Sequence, residues 1–243
     1  LQFHGLEPGG CPEEMNASRP EVIKQMAREY FQAGADMVLT NSFGGSRFML
    51  KKYGHIDKVH EFNLLAASHA RSMAPQGGYV LGSIGPTGEF LEPLGDVSES
   101  EMMDGFAEQT EGLKEGGVDG VVIETMTAIE EAELAVRAAR EHPDMVVMAT
   151  MTFDKGPRGF FTMMGITPEV ATKKLTDAGA DVVGCNCGNG IDVMTEIASI
   201  MRQTTDGYLL VHSNAGIPSI EKGRIVYPET PMYMAKRFKA LSD

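Results

Sequence analysis

One four-residue pattern, a small residue followed by Gly, then Ala or Val, then Asp, occurs three times in this chain of 243 residues. The copies lie at 33–36, 116–119 and 178–181, and each runs directly into a short apolar segment. A glycine after an amphipathic stretch can take the left-handed conformation that ends a helix, and an apolar run suits a strand buried on both faces. The repeat therefore predicts units of helix, tight turn and parallel strand.

Residues able to do chemistry follow each of these apolar segments. Thr-Asn-Ser-Phe occupies 40–43, Glu124 and Thr125 end the second segment, and Gly-Cys-Asn-Cys occupies 184–187. The carboxyl ends of parallel strands meet at one edge of a sheet, where barrels and doubly wound sheets bind their ligands. The pattern therefore predicts an enzyme with its site at that edge.

The rest of the chain continues the alternation of helix and strand. Apolar residues recur at helical spacing in the stretches 20–32, 58–72, 98–114, 128–141, 167–178, 191–203 and 231–241. Further strands are predicted within 78–86, 145–153 and 208–214. About six strand–helix units result, whereas a closed (β/α)8 barrel needs eight in about 250 residues. Either the sheet is open, or the chain lacks a strand at each end.

Charge and composition exclude several classes of partner. A formal net charge of -13 without a basic cluster argues against nucleic acid or an anionic membrane surface, because phosphate binding needs clustered Lys and Arg. No apolar run reaches the roughly 20 residues that span a bilayer, and residues 1–5 do not begin a secretion signal. Three cysteines are too few for a disulfide framework. We expect one domain over residues 1–243, located in the cytoplasm.

Taken in order, the predicted strand ends closely resemble those of the homocysteine S-methyltransferase family, which includes the homocysteine-binding module of cobalamin-dependent methionine synthase. The segments that carry the resemblance are 11–16, 40–44, 82–89, 123–125, 150–153, 184–187 and 213–216. The resemblance implies an α/β fold, the (β/α)8 TIM barrel. It also implies a first strand before Leu1 and a last strand, ending in Gly-Gly-Cys-Cys, after Asp243, and the chain contains neither.

The chemistry implied by the resemblance is zinc-dependent transfer of a methyl group to the thiol of homocysteine, which gives methionine. A free thiol is a poor nucleophile at neutral pH, and zinc binds the sulfur as thiolate. By the resemblance, Cys187 is the catalytic and metal-binding cysteine, and two further ligands belong to the absent Gly-Gly-Cys-Cys. Asn214 matches an asparagine close to the metal. A buried strand cysteine and a turn asparagine are the simpler interpretations of these two residues.

Three residues match positions that bind the amino-acid substrate. Glu124 would bind the ammonium group by a charge-assisted hydrogen bond, and Thr40 and Phe43 would line the pocket. The simpler alternatives remain open: Glu124 in a structural ion pair, and Thr40 and Phe43 as packing residues. We expect Cys185 and Cys187 to point to opposite faces of their strand, one inward and one toward the helices.

The methyl donor implied by the sequence is methylcobalamin carried on a partner protein or domain, because Gly-Pro-Thr-Gly-Glu at 85–89 is more like the cobalamin-dependent branch of the family. The turn within 82–88 is expected to shape the face where the donor docks. An alternative is a donor of the S-methylmethionine or betaine type, or a different thiol acceptor. An alternative of another class is a non-catalytic barrel that binds an amino acid or a corrinoid protein.

Overall fold

The computed structural model describes residues 1–221 and 224–242, in which helices alternate with strands as the repeat predicts. The helices are α1 (Met15–Ser18), α2 (Pro20–Gln32), α3 (Arg47–Lys52), α4 (Val59–Arg71), α5 (Glu99–Glu115), α6 (Ile129–Ala139), α7 (Pro168–Ala178), α8 (Ile191–Arg202) and α9 (Pro231–Ser242). The strands are β1 (Met37–Leu39), β2 (Tyr79–Ile84), β3 (Gly120–Met126), β4 (Val146–Met151), β5 (Asp154–Gly156), β6 (Gly159–Phe161), β7 (Val182–Asn186), β8 (Tyr208–His212), β9 (Ser219–Glu221) and β10 (Arg224–Val226).

Six of these strands form one parallel sheet in the order β1-β2-β3-β4-β7-β8. The sheet is curled, because a cavity of about 370 Å³ is lined both by Leu39 on its first edge and by Leu210 on its last. The predicted barrel class is therefore confirmed in the form of a six-stranded partial barrel. Two antiparallel ribbons, β5–β6 and β9–β10, lie outside the main sheet.

The two faces of the sheet differ in chemistry. Val121, Ile123 and Cys185 belong to the main apolar core, which lies between the sheet and helices α5 to α8. The alternate residues point the other way, because successive side chains of a strand lie on opposite faces. Near the carboxyl ends these inward positions hold polar side chains such as Ser83 and Asn186, which places hydrogen-bonding groups inside the curl.

The three repeats end helices as their glycines predict. Gly34, Gly117 and Gly179 have φ values of 98°, 96° and 111°, so each takes the left-handed conformation that other residues rarely adopt. The strand that follows each glycine begins three residues later. The repeated pattern is therefore a helix stop joined to a strand start.

The aspartates of the second and third repeats hold the start of the sheet. The carboxylate of Asp119 accepts a hydrogen bond from the Val80 N–H (2.7 Å) and pairs with Arg71. In the same way Asp181 accepts from the Val147 N–H (2.8 Å) and pairs with Arg140. We call Arg71–Asp119 and Arg140–Asp181 the two Arg–Asp clamps.

Each clamp arginine also reaches the left-handed glycine of the next helix end. Arg71 Nε donates to the Gly117 carbonyl (2.8 Å), and Arg140 Nε donates to the Gly179 carbonyl (2.5 Å). Helix stop, strand start and neighbouring strand are thereby tied together. Among the residues that the structure describes, no helix combines the length and apolar character needed to cross a bilayer.

Candidate functional site at the carboxyl ends of the strands

Glu124 lies near the carboxyl end of β3, where its half-buried carboxylate is held by neutral donors. Ser83 Oγ donates to Glu124 Oε1 at 2.6 Å, and Asn186 Nδ2 donates to Oε2 at 3.3 Å. Within residues 1–221 and 224–242, no salt bridge joins Glu124 to Lys, Arg or His. The alternative of a structural ion pair therefore finds no support, and the carboxylate keeps its capacity to bind a cation.

Asn186 ends β7 and is the centre of the hydrogen bonding at this edge. Its side chain is almost completely buried, with 4% of the residue exposed. Oδ1 accepts from the Thr125 N–H (2.7 Å) and from Thr150 Oγ1 (2.7 Å), and Nδ2 donates to Thr125 Oγ1 (2.7 Å) and to Glu124. The amide thus uses both hydrogens and both accepting directions, and it links β7 across β4 to β3.

Thr40 connects the first strand to the same set of contacts. Its Oγ1 accepts from the Ser83 N–H (3.0 Å) and lies 2.6 Å from Ser42 Oγ, which donates to the Ser83 carbonyl (2.7 Å). A continuous chain of contacts therefore runs from Thr40 through Ser83 and Glu124 to Asn186. We call these four residues the strand-end network. Sequence reasoning assigned roles to Thr40 and Glu124 but not to Ser83 and Asn186.

Phe43 lies in the loop after β1, against the loop after β2. Its carbonyl accepts from the Gly85 N–H (2.9 Å), and a Cβ added at Gly85 would lie 2.7 Å from the Phe43 ring. The residue is 42% exposed, so part of its surface remains open to solvent. Glycine at 85 is required for this close approach of the two loops.

The loop that carries Phe43 is fixed by the N-terminal segment 11–16. Glu13 Oε1 accepts from the Gly44 N–H at 2.7 Å, and Asn16 Oδ1 accepts from Asn41 Nδ2 at 3.0 Å. Glu13 and Asn16 are both buried. The segment thus has a structural task at the site, which is to hold the turn between Thr40 and the helix α3.

Cys187 follows β7 directly and is half-buried at the rim. Its N–H donates to the His212 carbonyl (3.1 Å), and its own carbonyl accepts from the Asn189 N–H (2.8 Å). The Asn189 carbonyl in turn accepts from the N–H of Asn214 (3.0 Å), an exposed residue. The backbone therefore brings Cys187 and Asn214 to the same corner of the carboxyl edge.

Cys185 and Cys187 differ in burial, but for a reason other than the one expected. Residues two apart in a regular strand share a face, so the expectation that Cys185 and Cys187 point to opposite faces rested on a wrong rule. What separates them is the backbone: β7 ends at Asn186, and Cys187 has a φ of 60°. Cys185 is fully buried in the outer core, and burial raises its pKa to about 12, so it remains a thiol at neutral pH.

Thr125 and Cys187 are the non-glycine residues with positive φ in the described part of the chain, at 62° and 60°. One follows Glu124 and the other follows Asn186. A left-handed conformation is unfavourable for residues with a Cβ, above all for a β-branched one such as Thr. Such outliers concentrate at functional sites, and here both lie beside residues of the strand-end network.

A metal centre is not assembled by the described residues alone. No group of three or more His, Cys, Asp or Glu side chains among residues 1–221 and 224–242 is placed to hold an ion. A catalytic zinc site takes three protein ligands, so Cys187 with Asn214 does not fit a complete site. The cavity of about 370 Å³ includes Thr40 in its lining but not Phe43, Glu124, Cys187 or Asn214; it is the mainly apolar space between the two edge strands.

Polar side chains gathered at the carboxyl edge of a curled parallel sheet define a ligand site of the barrel-enzyme class. Comparison with known families makes this specific. A model described as homocysteine S-methyltransferase matches residues 4–242, and the chain belongs to that family. The resemblance seen in the strand ends is thereby confirmed.

Two mycobacterial proteins illustrate the relationship. Methionine synthase of Mycobacterium tuberculosis (strain H37Rv) and that of Mycobacterium leprae (strain TN) are each 31% identical to this chain over 248 residues. The matches cover 96% of this chain but 20% of each relative. The chain thus spans about one fifth of the length of these relatives.

Solved structures support the fold. The metallated form of the homocysteine methyltransferase MmuM from Escherichia coli superposes with a TM-score of 0.77 at 20% identity, over 89% of this chain and 80% of that one. Its oxidized form gives 0.73 at 20% identity, over 88% and 78%. An oxaloacetate acetylhydrolase gives 0.55 at 16% identity, over 90% and 69%. At these identities the likeness concerns the fold.

Proposed function

We propose that this chain forms the homocysteine-binding site of a methyltransferase that methylates the homocysteine thiol to give methionine. The observation that carries the proposal is the Glu124 carboxylate, which is half-buried, oriented by two neutral donors and unpaired with any cation of the described chain. A carboxylate in this state binds an ammonium group well, because the charge-assisted bond forms where water is partly excluded. Family membership supports homocysteine as the amino acid that brings the ammonium group.

Thr40 and Phe43 are proposed to shape the substrate pocket in different ways. The Thr40 hydroxyl is engaged with Ser42 and with the Ser83 N–H, so its contribution is to hold Ser83 in place for Glu124. Phe43 presents a partly exposed ring and is suited to contact the aliphatic part of the substrate. Both roles agree with their position on the loop after β1.

Zinc is the proposed cofactor, with Cys187 as one ligand beside Asn214. Thiolate ligands suit zinc, and a zinc ion with an open position lowers the pKa of a bound thiol. The remaining ligands would have to come from outside residues 1–221 and 224–242, since these gather no group of three. Cys185 is not a candidate, because it is buried on the other side of the sheet.

The proposed methyl donor is methylcobalamin on a partner protein or domain. Support comes from the mycobacterial methionine synthases, of which this chain matches one fifth. Donors of the S-methylmethionine or betaine type are the alternative, and transfer of isotopically labelled methyl from each compound distinguishes them. A barrel that binds homocysteine without transferring methyl remains the alternative of another class, and stoichiometric thiol-bound zinc in the complete protein would argue against it.

The role of Glu124 is tested by pairing a variant with a substrate analogue. Calorimetry would compare homocysteine with 4-mercaptobutanoate, which lacks the amino group, in the complete protein and in Glu124→Gln. We expect the parent protein to prefer homocysteine by about 10- to 100-fold, the value of a hydrogen bond to a charged group, and the variant to lose most of this preference.

The matched control is Glu131→Gln. Glu131 is also a buried carboxylate that accepts hydrogen bonds from neutral donors, but its partner is Thr87. We expect this variant to keep the preference for homocysteine. An unchanged preference in Glu124→Gln, or an equal loss in both variants, would refute the assignment of the ammonium site to Glu124.

A further inference from the structure

The left-handed backbone at Thr125 has one side chain that holds it from both sides. Asn186 Oδ1 accepts from the Thr125 N–H, and Asn186 Nδ2 donates to Thr125 Oγ1, both at 2.7 Å. Because a β-branched residue disfavours a φ of 62°, these two bonds oppose the relaxation of Thr125 toward the extended region. The conformation of Thr125 therefore depends on a residue from a strand that is not adjacent to its own.

Glu124 is controlled by the same amide. It is joined covalently to Thr125, and its Oε2 accepts from Asn186 Nδ2 at 3.3 Å. Three of the four side-chain bonds of Asn186 thus end on Glu124 or Thr125, and the fourth, from Thr150, fixes the amide itself. Among the side chains of this size, an Asn amide offers the two donors and two acceptors that this arrangement uses, whereas Asp lacks the donors.

We infer that Asn186 is a positioning residue that sets the orientation of the Glu124 carboxylate by holding Thr125 in its left-handed conformation. The inference rests on the proposed role of Glu124 in binding the ammonium group of homocysteine. Asn186 also directly precedes Cys187, the second non-glycine residue with a positive φ (60°). One buried amide therefore lies next to both the proposed ammonium site at Glu124 and the proposed metal ligand Cys187.

The test is a set of variants in the complete protein: Asn186→Ala, Thr125→Gly and the double variant. Loss of the amide removes the restraint on Thr125, so we expect Asn186→Ala to raise the KM for homocysteine about tenfold with a smaller effect on kcat, the signature of lost substrate binding. Glycine adopts positive φ without a side-chain penalty. We therefore expect Thr125→Gly, added to Asn186→Ala, to restore part of the affinity, by about threefold or more.

Asp119→Ala is the matched control, since Asp119 precedes the same strand β3 and accepts hydrogen bonds at its opposite end. It is expected to lower Tm while leaving the KM unchanged, which separates general destabilisation from positioning. If Asn186→Ala does not fold, Asn186→Asp replaces it. This change keeps the shape and both accepting positions, removes the two donated bonds and puts a second carboxylate beside Glu124, so repulsion between the two is expected to displace Glu124 and raise the KM. A KM within twofold of the parent in the folded variant, or no recovery in the double variant, would overturn the inference.

A structural measurement separates this inference from the proposed function. If the folded parent protein binds no homocysteine, the proposed function fails, and the crystal structure of Asn186→Ala still decides the positioning role. We expect Thr125 to leave the left-handed region and the Glu124 carboxylate to move away from Ser83 in that variant. An unchanged Thr125 φ with Glu124 still bonded to Ser83 would contradict the inference whatever the ligand.

Discussion

The two ends of the parallel sheet differ in how their carboxylates are held. At the amino ends, Asp119 and Asp181 are neutralised by arginines and accept backbone N–H groups of the neighbouring strand. At the carboxyl ends of the same two strands, neutral donors hold the Glu124 carboxylate, and the neutral side-chain amide of Asn186 connects the strands. The carboxylates at the amino ends are therefore paired with arginines, which suits stability. The Glu124 carboxylate at the carboxyl ends is not paired with a described cation, which suits ligand binding.

Backbone conformation shows the same contrast. At the amino ends the left-handed positions are the glycines 34, 117 and 179, where positive φ is free of side-chain strain. At the carboxyl ends they include two residues that are not glycine, Thr125 and Cys187, for which the same conformation is unfavourable. Strain is therefore absent where the fold is secured and present where the proposed chemistry occurs, as expected for a preorganised site.

Cys187→Ala should show the largest effect, and it directly tests whether the carboxyl ends of the strands serve function rather than stability. If Cys187 is a zinc ligand, its loss removes a contribution of several kcal/mol, and we expect methyl transfer to fall by about 10³-fold or more. Zinc content should fall with it, whereas the free energy of unfolding changes little, because such metals sit on preformed scaffolds. Activity, bound zinc and Tm would be measured on the complete protein.

Cys185→Ala provides the contrast on the same strand. This thiol is buried in the main apolar core, so its loss should cost about 1–2 kcal/mol of stability and leave kcat/KM unchanged. Global unfolding of Cys187→Ala, with a stability loss larger than that of Cys185→Ala, would instead indicate a structural role at the carboxyl edge.

Arg140→Ala should give a smaller effect, confined to stability. Arg140 donates to the carbonyls of Gly179 (2.5 Å) and Met145 (3.2 Å) as well as pairing with Asp181. The Asp181 side chain is 47% exposed, so the ion pair itself contributes little, and most of the effect comes from the two carbonyl bonds. We expect a loss of about 1–2 kcal/mol, or roughly 2–8 °C in Tm, with an unchanged KM for homocysteine.

Asp181→Asn measures the contribution of the charge alone. The amide oxygen can still accept the Val147 N–H, and only the charge is lost, so the cost should stay below about 1 kcal/mol. A change in the KM for homocysteine in either clamp variant would show that the two ends of the sheet are coupled, and it would end the simple division between them.

The sequence predicted the repeating units and the sheet edge at which the candidate site lies, because these follow from local signals: a glycine that stops a helix and an apolar run that forms a strand. The barrel class came from the resemblance of the strand ends to the homocysteine S-methyltransferase family. The sequence did not predict the central place of Asn186. That role depends on the register that sets Thr150 beside Gly184, and on a side chain that reaches over β4 to β3. Such contacts are determined by packing and have no local pattern.

Two features of the structure have no local signal in the sequence. Strand β7 ends at Asn186, where Cys187 takes a positive φ, and no sequence rule marks a non-glycine residue for that conformation. The repeat predicts only a tight turn around its aspartates, whereas the arginine partners of Asp119 and Asp181 lie 48 and 41 residues earlier, at Arg71 and Arg140. Long-range pairing of this kind becomes visible only once helices and strands are placed together.

The smallest expected effect concerns Glu131 and the pH dependence of stability at the carboxyl edge. Glu131 Oε1 accepts from the N–H and the hydroxyl of Thr87, both at 2.7 Å, in the loop after β2. Burial is the main influence and raises the pKa of this carboxyl above its ordinary value of 4.5, although the two hydrogen bonds oppose the shift. The folded state therefore binds a proton more tightly than the unfolded state does.

The stability that Glu131 contributes is fully present below pH 4.5 and is lost as the pH rises through the raised pKa. Glu131→Gln cannot ionise, and its amide oxygen can accept both hydrogen bonds from Thr87. We expect the Tm of this variant, relative to the parent, to increase between pH 4 and pH 7, as followed by calorimetric scans. The opposite trend would mean that the Thr87 bonds outweigh burial, so that neutral donors at the carboxyl edge stabilise a carboxylate as firmly as the arginines do at the amino edge.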